Sequence, residues 1–316
     1  MAGDQIIVLT RTQLVCVGDA IEAFLRLEMA GLSAQTAHWY RVRLEALGEW
    51  LGPGRALSTV LEMELDEYRA ALAGRARKDR RKLPRISAFT LHGHVRAVKR
   101  LFRWLYQRDV LPADLGRDLK LPKLPRQGRK GISEGNLAAI LSAAQEGSIR
   151  DYALLRFLES TGVRRGGIEG LLLSDLDVDL EDERLRRRAT VREKGEKSRT
   201  VIMSREALRA LLAWLEIRPE IEDQHVFLGR SPGQAWHALS AGGISGIVSR
   251  YKKRLGLRGD CSPHQWRHRW ARHHLHQGME LSQVSQLLGH EDVGITVRFY
   301  GQFTMDQLQE SYDRFH

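Results

Sequence analysis

The sequence predicts a mainly α-helical protein of two domains, with a small antiparallel β-sheet confined to the second. Three observations lead there. Apolar residues recur at three- and four-residue intervals along most of the chain, the period of an amphipathic helix. One pair of strand-like runs, over 185–192 and 199–203, brackets a Glu-Lys-Gly-Glu-Lys tip and reads as a hairpin. A Pro- and Gly-rich basic segment, LPKLPRQGRKG at 121–131, divides the 316 residues. This length allows about two domains at roughly 100–200 residues each. Hydrophobic residues at 42% and charged residues at 28% exclude a wholly disordered chain.

The elements follow in order. Ser33 is placed to cap a helix carrying Trp39, Tyr40, Leu44, Leu47, Trp50 and Leu51, which Gly52-Pro53-Gly54 ends. A second helical pattern covers 62–72, and a basic loop runs from Gly74 to Arg85. From Ser87 to Tyr106 the residues Leu91, Val95, Val98, Leu101, Phe102 and Leu105 form one stripe, with Arg96, Lys99, Arg100 and Arg103 on the other faces. Past the linker, Ser133 precedes a helix with Leu137, Ile140 and Leu141, and Ala153 to Leu158 lie on another. A short strand is expected near 176–180, then the hairpin, then helices after Arg205, Ser240 and Ser262. Met305, Leu308, Tyr312 and Phe315 set a narrow apolar stripe on a tail helix over 304–316. The expected domains are 1–120, a linker at 121–131, and 132–316.

Charge is unevenly placed. Lys and Arg number 50 against 39 acids, a net +11. Eleven of those cations, Arg75, Arg77, Lys78, Arg80, Arg81, Lys82, Arg85, Arg96, Lys99, Arg100 and Arg103, share their stretch with a single acid, Asp79. The remainder is nearly neutral, at 39 basic to 38 acidic. Such a concentration marks a polyanion partner, and these eleven are the expected DNA-binding residues. No apolar run is long enough for a membrane span, and Met1-Ala2-Gly3-Asp4 lacks the layout of a signal peptide. Two cysteines, Cys16 and Cys261, are too few for a disulfide framework. A cytoplasmic, nucleoid-associated protein is expected.

Four places carry residues that packing alone does not demand. They are Thr161-Gly162-Val163-Arg164, Lys194 at the hairpin tip, Ser262-Pro263-His264-Gln265-Trp266-Arg267, and Leu287-Leu288-Gly289-His290 followed ten residues later by Tyr300. Each alone is equally a turn, a solvated tip, a surface helix or a core aromatic. His264 and Arg267 share one face of a helix's first turn, where backbone N–H groups already favour a phosphate. His264, His268, His273, His274 and His276 also raise a metal site. However, no adjacent Glu completes a zinc-protease motif, and Arg267, Arg269 and Arg272 would repel a dication. Neither metal nor cofactor is expected.

In combination these segments resemble the tyrosine recombinases, the phage-integrase and Xer-like site-specific recombinase family. The matching pieces are TGVR (161–164), EKGEKSRTV (193–201), SPHQWRHRWA (262–271) and LLGHEDVGITVRFY (287–300). LSAQTAHWY (32–40) and VRAVKRLFRWLY (95–106) resemble that family's helical, SAM-like core-binding domain. The resemblance implies that Arg164, Lys194, His264, Arg267 and His290 surround a scissile phosphate, with Tyr300 as nucleophile. His264 would be the base and Lys194 the general acid, with Lys197 as its alternative. It further implies recombination at a specific DNA site, for integration, transposition or resolution, in a synaptic tetramer joined by exchanged tails. A second recombinase or accessory protein is a further implied partner. The alternatives are a weak or inactive DNA-binding accessory protein and a relaxing enzyme of the type IB topoisomerase kind. One departure stands out: the position three after the first arginine, usually acidic, is Gly167, while Glu169 is out of register. The missing acid is expected to slow the enzyme or make it depend on a partner. Arg165, Gly166 and Ile202 also depart from the pattern, and Phe299 lacks a hydroxyl, leaving Tyr300 as the nucleophile.

Overall fold

The computed structural model describes residues 16–74, 86–124, 131–178, 186–192, 198–230, 233–289 and 293–300, with Met305, Gln309 and Asp313 of the tail. Arg75, Arg77, Lys78, Arg80, Arg81, Lys82, Arg85, Lys194, Lys197 and His290 lie outside the described residues, as does most of the tail. Two compact units emerge, 1–126 and 127–316.

The first unit packs α1 (Val17–Leu27), α2 (Ala34–Leu51), α3 (Glu62–Leu72) and α4 (Ala88–Gln107) around one apolar core. Ser33 and Ser87 cap α2 and α4 through their hydroxyls, fixing where each helix begins. α1 was not anticipated from the sequence; Cys16 caps it, its Sγ accepting from the Asp19 N–H, and Phe24 meets Tyr40 and Trp104 edge-on. On α4 the expected stripe is buried from Val95 through Leu105, joined by Trp104. Inside the core the Tyr68 hydroxyl lies 3.0 Å from His94 Nδ1. Burial, helped by Arg43, pushes His94 down to about 4, so it is neutral at physiological pH.

The basic face of α4 divides in a way the sequence does not reveal. Arg96, Arg100 and Arg103 are exposed along a groove of about 560 Å³ that Arg117 also lines. Lys99 lines the groove too, but its ammonium donates to the carbonyls of Gly116 (2.8 Å), Arg117 (2.6 Å) and Leu119 (3.0 Å). It holds the segment after α4 instead of presenting a bare charge to phosphate. Arg100 in turn bonds Glu28. Of the four α4 cations expected to face DNA, Lys99 thus has its ammonium engaged by backbone carbonyls. Arg96 and Arg103 keep the expected exposure.

In the second unit, α5 (Glu134–Gly147) and α6 (Ile149–Thr161) meet at Ser148, which ends one helix and caps the next. α7 (Arg165–Glu169) is a single short turn. β1 (Leu176–Val178), β2 (Arg187–Arg192) and β3 (Ser198–Ile202) form an antiparallel sheet in sequence order, with Ala189 opposite Val201. Ala189, Val191 and Val201 alternate inward, so the sheet buries one face. α8 (Arg205–Ile217) follows. A two-residue pair, β4 (Leu228–Gly229) with β5 (His237–Ala238), is too short for period-two reading and was not anticipated. Then come α9 (Ala241–Arg254), α10 (Pro263–His276), α11 (Leu281–Leu288) and α12 (Val293–Tyr300).

The core of this unit lies between α5, α6, α8 and α9 and the inner sheet face. Asp151, 2% exposed, ties its edges together, accepting from Arg150 (2.7 and 3.0 Å) and Arg250. The linker's end is also fixed: Ile132 N–H donates to Gln265 O on α10, and Gly131 lies so close that a Cβ would stand 2.6 Å from the Arg269 nitrogen. Arg269 then forks onto Glu134 and reaches Glu159.

Replacing Lys99 by Met should destabilise the full chain by about 2 kcal/mol, the loss of charge-assisted hydrogen bonds. Amide hydrogen exchange should speed up over 114–121, whereas Arg96→Met should leave that segment unchanged.

Candidate active site

The site begins where α6 must stop. Gly162 adopts a left-handed conformation (φ 58°, ψ 20°), and a Cβ there would lie 2.9 Å from the Trp270 ring. The reversal buries Val163 and delivers Arg164 in extended conformation at the entrance to α7. Arg164 lines a cavity of about 380 Å³ with Arg165, Ser245, Ser262, His264 and Arg267.

α10 supplies the opposite wall. Pro263 holds its first turn, as expected. Ser262 stands at the cap position, but its hydroxyl makes no capping bond; Asp260 accepts from the Ser262 N–H instead. His264 follows on the first turn, and Arg267 lies below it, only 2% exposed. Arg267 donates from Nη1 to Gly162 O (2.9 Å) and from Nη2 to Leu288 O (2.6 Å). Leu288 closes α11, and Gly289 caps that helix in left-handed conformation. On β3, Arg199 donates to the neighbouring Leu287 O. Two guanidiniums thus bind the last carbonyls of one helix, where the macrodipole is negative.

The electrostatics are those of a site short of negative charge. Burial, then the nearby Arg164 and Arg199, lower Arg267 to about 9. Burial alone brings Arg199 to about 10. Arg164 is lowered by burial and then by Arg199. The Tyr300 side chain opposes these shifts at both Arg164 and Arg267, so the phenol belongs to the same electrostatic cluster. Because Arg267's folded value lies below its unfolded one, its charged form costs stability at every pH below about 9. That cost is relieved only as pH rises from there, or when an anion arrives.

Tyr300 ends α12 and is 5% exposed. Its hydroxyl lies 2.5 Å from Nδ1 of His268, which is 2% exposed. The His264 ring meets His268 edge-on, at 4.3 Å between centroids. Arg164, His264, Arg267 and Tyr300 therefore come together in one place. Sequence reading passed over Arg199 and His268. Arg199 carried a signal: it shares the inward register of β3 with buried Val201, an odd position for a surface arginine. His268 lies one turn beyond His264 and was weighed only as a metal ligand. Among the described residues, no group of His, Cys, Asp or Glu is arranged to hold a metal ion.

Gly167 has a packing explanation. It is buried, and a Cβ there would stand 2.8 Å from Val163 Cγ2 and 3.5 Å from Val191 Cβ. A carboxylate side chain at 167 has no room beside this valine. Glu169 does not substitute for it, because its Oε1 accepts from the Ala241 N–H at the start of α9.

Comparison with known proteins gives concordant likenesses. The model of the phage integrase family matches residues 130–306. Tyrosine recombinase XerC of Haemophilus ducreyi is 28% identical over 299 residues, covering 93% of this chain and 91% of the relative. XerC of Myxococcus xanthus is 32% identical over 231 residues, covering 70% and 73%. Among solved structures, the Tn1549 transposon integrase in complex with a circular intermediate DNA superposes with TM-score 0.72 at 18% identity, covering 96% of this chain and 100% of that one. A lambda integrase dimer bound to a COC' core site gives 0.70 at 17%, covering 90% and 77%.

Two outcomes follow. Gly167→Ala should cost about 1–2 kcal/mol by overpacking. That cost should shrink in a Val163→Ala background, giving a coupling of about 1 kcal/mol in a denaturation double-mutant cycle. Inorganic phosphate should stabilise the fold relative to chloride of equal ionic strength by about 1.4 kcal/mol at tenfold excess over Kd, read as a higher melting temperature. Arg164→Met should abolish most of that gain.

Proposed function

The chain belongs to the phage integrase family of tyrosine recombinases, and we propose that it exchanges strands at a specific DNA site through a phosphotyrosine on Tyr300. It is a DNA breaking and rejoining enzyme, and DNA is its partner. What carries the reading is a buried phenol within a cluster of arginines at the positions the family's motifs mark.

Tyr300 Oη attacks the phosphodiester phosphorus, the P–Oη bond forms and the P–O5′ bond breaks. The product is a 3′-phosphotyrosine and a free 5′-hydroxyl. Negative charge grows on the nonbridging oxygens, and Arg164 and Arg267 stabilise it without a metal, both being forked and cationic near neutral pH and Arg267 being already desolvated. Its carbonyl anchors hold Arg267 before substrate arrives, so little reorganisation of that residue remains for the reaction itself. Lys194 donates the proton that the departing 5′-oxygen needs, and His264 and His290 complete the shell around the phosphate. The phosphotyrosine keeps the energy of the broken bond, so attack by a 5′-hydroxyl of the partner strand rejoins DNA without ATP.

DNA is held by the basic loop 75–85 and by the exposed Arg96 and Arg103 of α4, which contact mainly phosphates. No described helix is long and apolar enough to cross a membrane. The active assembly is a tetramer on two duplexes, in which the tail helix docks on a neighbouring copy. Met305, 76% exposed, supports that docking, as does an apolar pocket of about 350 Å³ lined by Trp270, Met279 and Leu287. A related recombinase is a candidate second partner.

The test uses nicked duplexes tiled across the DNA that flanks the coding sequence. Wild type should yield a denaturant-resistant protein–DNA adduct on one of them, and Tyr300→Phe should bind the same duplex with no adduct. An adduct from Tyr300→Phe would falsify the nucleophile assignment.

A further inference from the structure

Resting on the strand-exchange reading above, the contact between Tyr300 and His268 carries a further role. The two atoms are 2.5 Å apart, and both residues are nearly fully buried, so bulk water has little access to the phenolic proton. His264 and His268 occupy successive turns of α10 with their rings edge-on. They face different things. His264 lines the cavity with Arg164 and Arg267, where a phosphate fits; the hydroxyl of the nucleophile is on His268.

A phenol has one proton to give, and a neutral imidazole has one bare ring nitrogen. With the hydroxyl donating to Nδ1, the ring's own proton is on Nε2. We propose that His268 is the proton acceptor for Tyr300. As Oη closes on phosphorus its proton passes to His268 Nδ1, the P–Oη bond forms, the P–O5′ bond breaks, and the 5′-oxygen leaves with the proton from Lys194. His264 then serves the nonbridging oxygens. When the 5′-hydroxyl attacks in the rejoining step, the imidazolium returns its proton to the departing Oη.

The arrangement also ties proton removal to substrate. An imidazolium formed here is opposed by Arg164 and Arg267, the same cations that act on Tyr300. The negative charge of the bound phosphate offsets them. The imidazolium is therefore better tolerated once DNA is in place.

His268→Asn tests this in the full chain on the tiled nicked duplexes. Asparagine keeps an acceptor oxygen close to where Nδ1 stands but cannot hold the proton. Adduct formation should slow on the order of 100-fold or more while DNA binding is unchanged. Placing a fluorinated tyrosine, whose hydroxyl is more acidic, at position 300 of the variant should restore most of the rate. A merely structural defect would not respond to that change. Should the Asn variant fail to fold, His268→Gln takes its place in both measurements. Wild-type rates in the variant overturn the proposal, and so does a loss that fluorotyrosine leaves untouched. If wild type itself forms no adduct on any duplex, the strand-exchange reading fails, and the proton-acceptor role with it.

Discussion

The catalytic half is arranged around a guanidinium that scarcely reaches water. Arg267 is 2% exposed, and a cation so placed is strongly destabilising unless polar groups replace its hydration. The groups that do so are backbone carbonyls at two helix ends, Gly162 O after α6 and Leu288 O at the close of α11. Those carbonyls are accessible because both helices terminate there in left-handed glycines. Shift either terminus by a residue and the arginine loses an anchor. The TGVR turn, the start of α10 and the end of α11 are thus parts of one constraint, though more than a hundred residues separate the first from the last.

The choice of carbonyls has a chemical consequence. A carboxylate would satisfy the same N–H groups while cancelling the charge; a carbonyl satisfies them and leaves it. Elsewhere in this unit several acids are paired with other arginines. Asp151 holds Arg150 and Arg250, Asp175 chelates Arg192, and Glu134 with Glu159 holds Arg269. At the site, Arg267 and Arg199 are bonded to carbonyls and depressed below the ordinary guanidinium range. The positive potential is kept for a phosphate.

Local features were legible in the sequence wherever the physics is local. Ser33 and Ser133 cap helices as read, the α4 stripe is buried as read, and the hairpin folds close to its expected bounds. The family resemblance named Arg164, His264, Arg267 and Tyr300, which the fold brings together across 137 positions of sequence. What escaped depends on partners remote in the chain. Lys99 looks like its neighbours on α4, and only the returning backbone at 116–119 gives it a different task. Arg199 and His268 acquire theirs from Leu287 and Tyr300, which local spacing cannot foresee. Gly167 appeared as a missing carboxylate; Val163, four residues earlier, makes it a matter of volume.

One further consequence lies at the mouth of the linker. Ile132 and Gly131 lie against the flank of α10, the helix that also bears His264, Arg267 and His268. Any displacement of residues 131–132 is therefore passed first to the catalytic helix, within one or two turns of the residues that meet the phosphate and the nucleophile. Arg269, clamped by Glu134 and Glu159, braces the helix at that point. A small shift at 131–132 is enough to disturb the geometry on which strand cleavage relies.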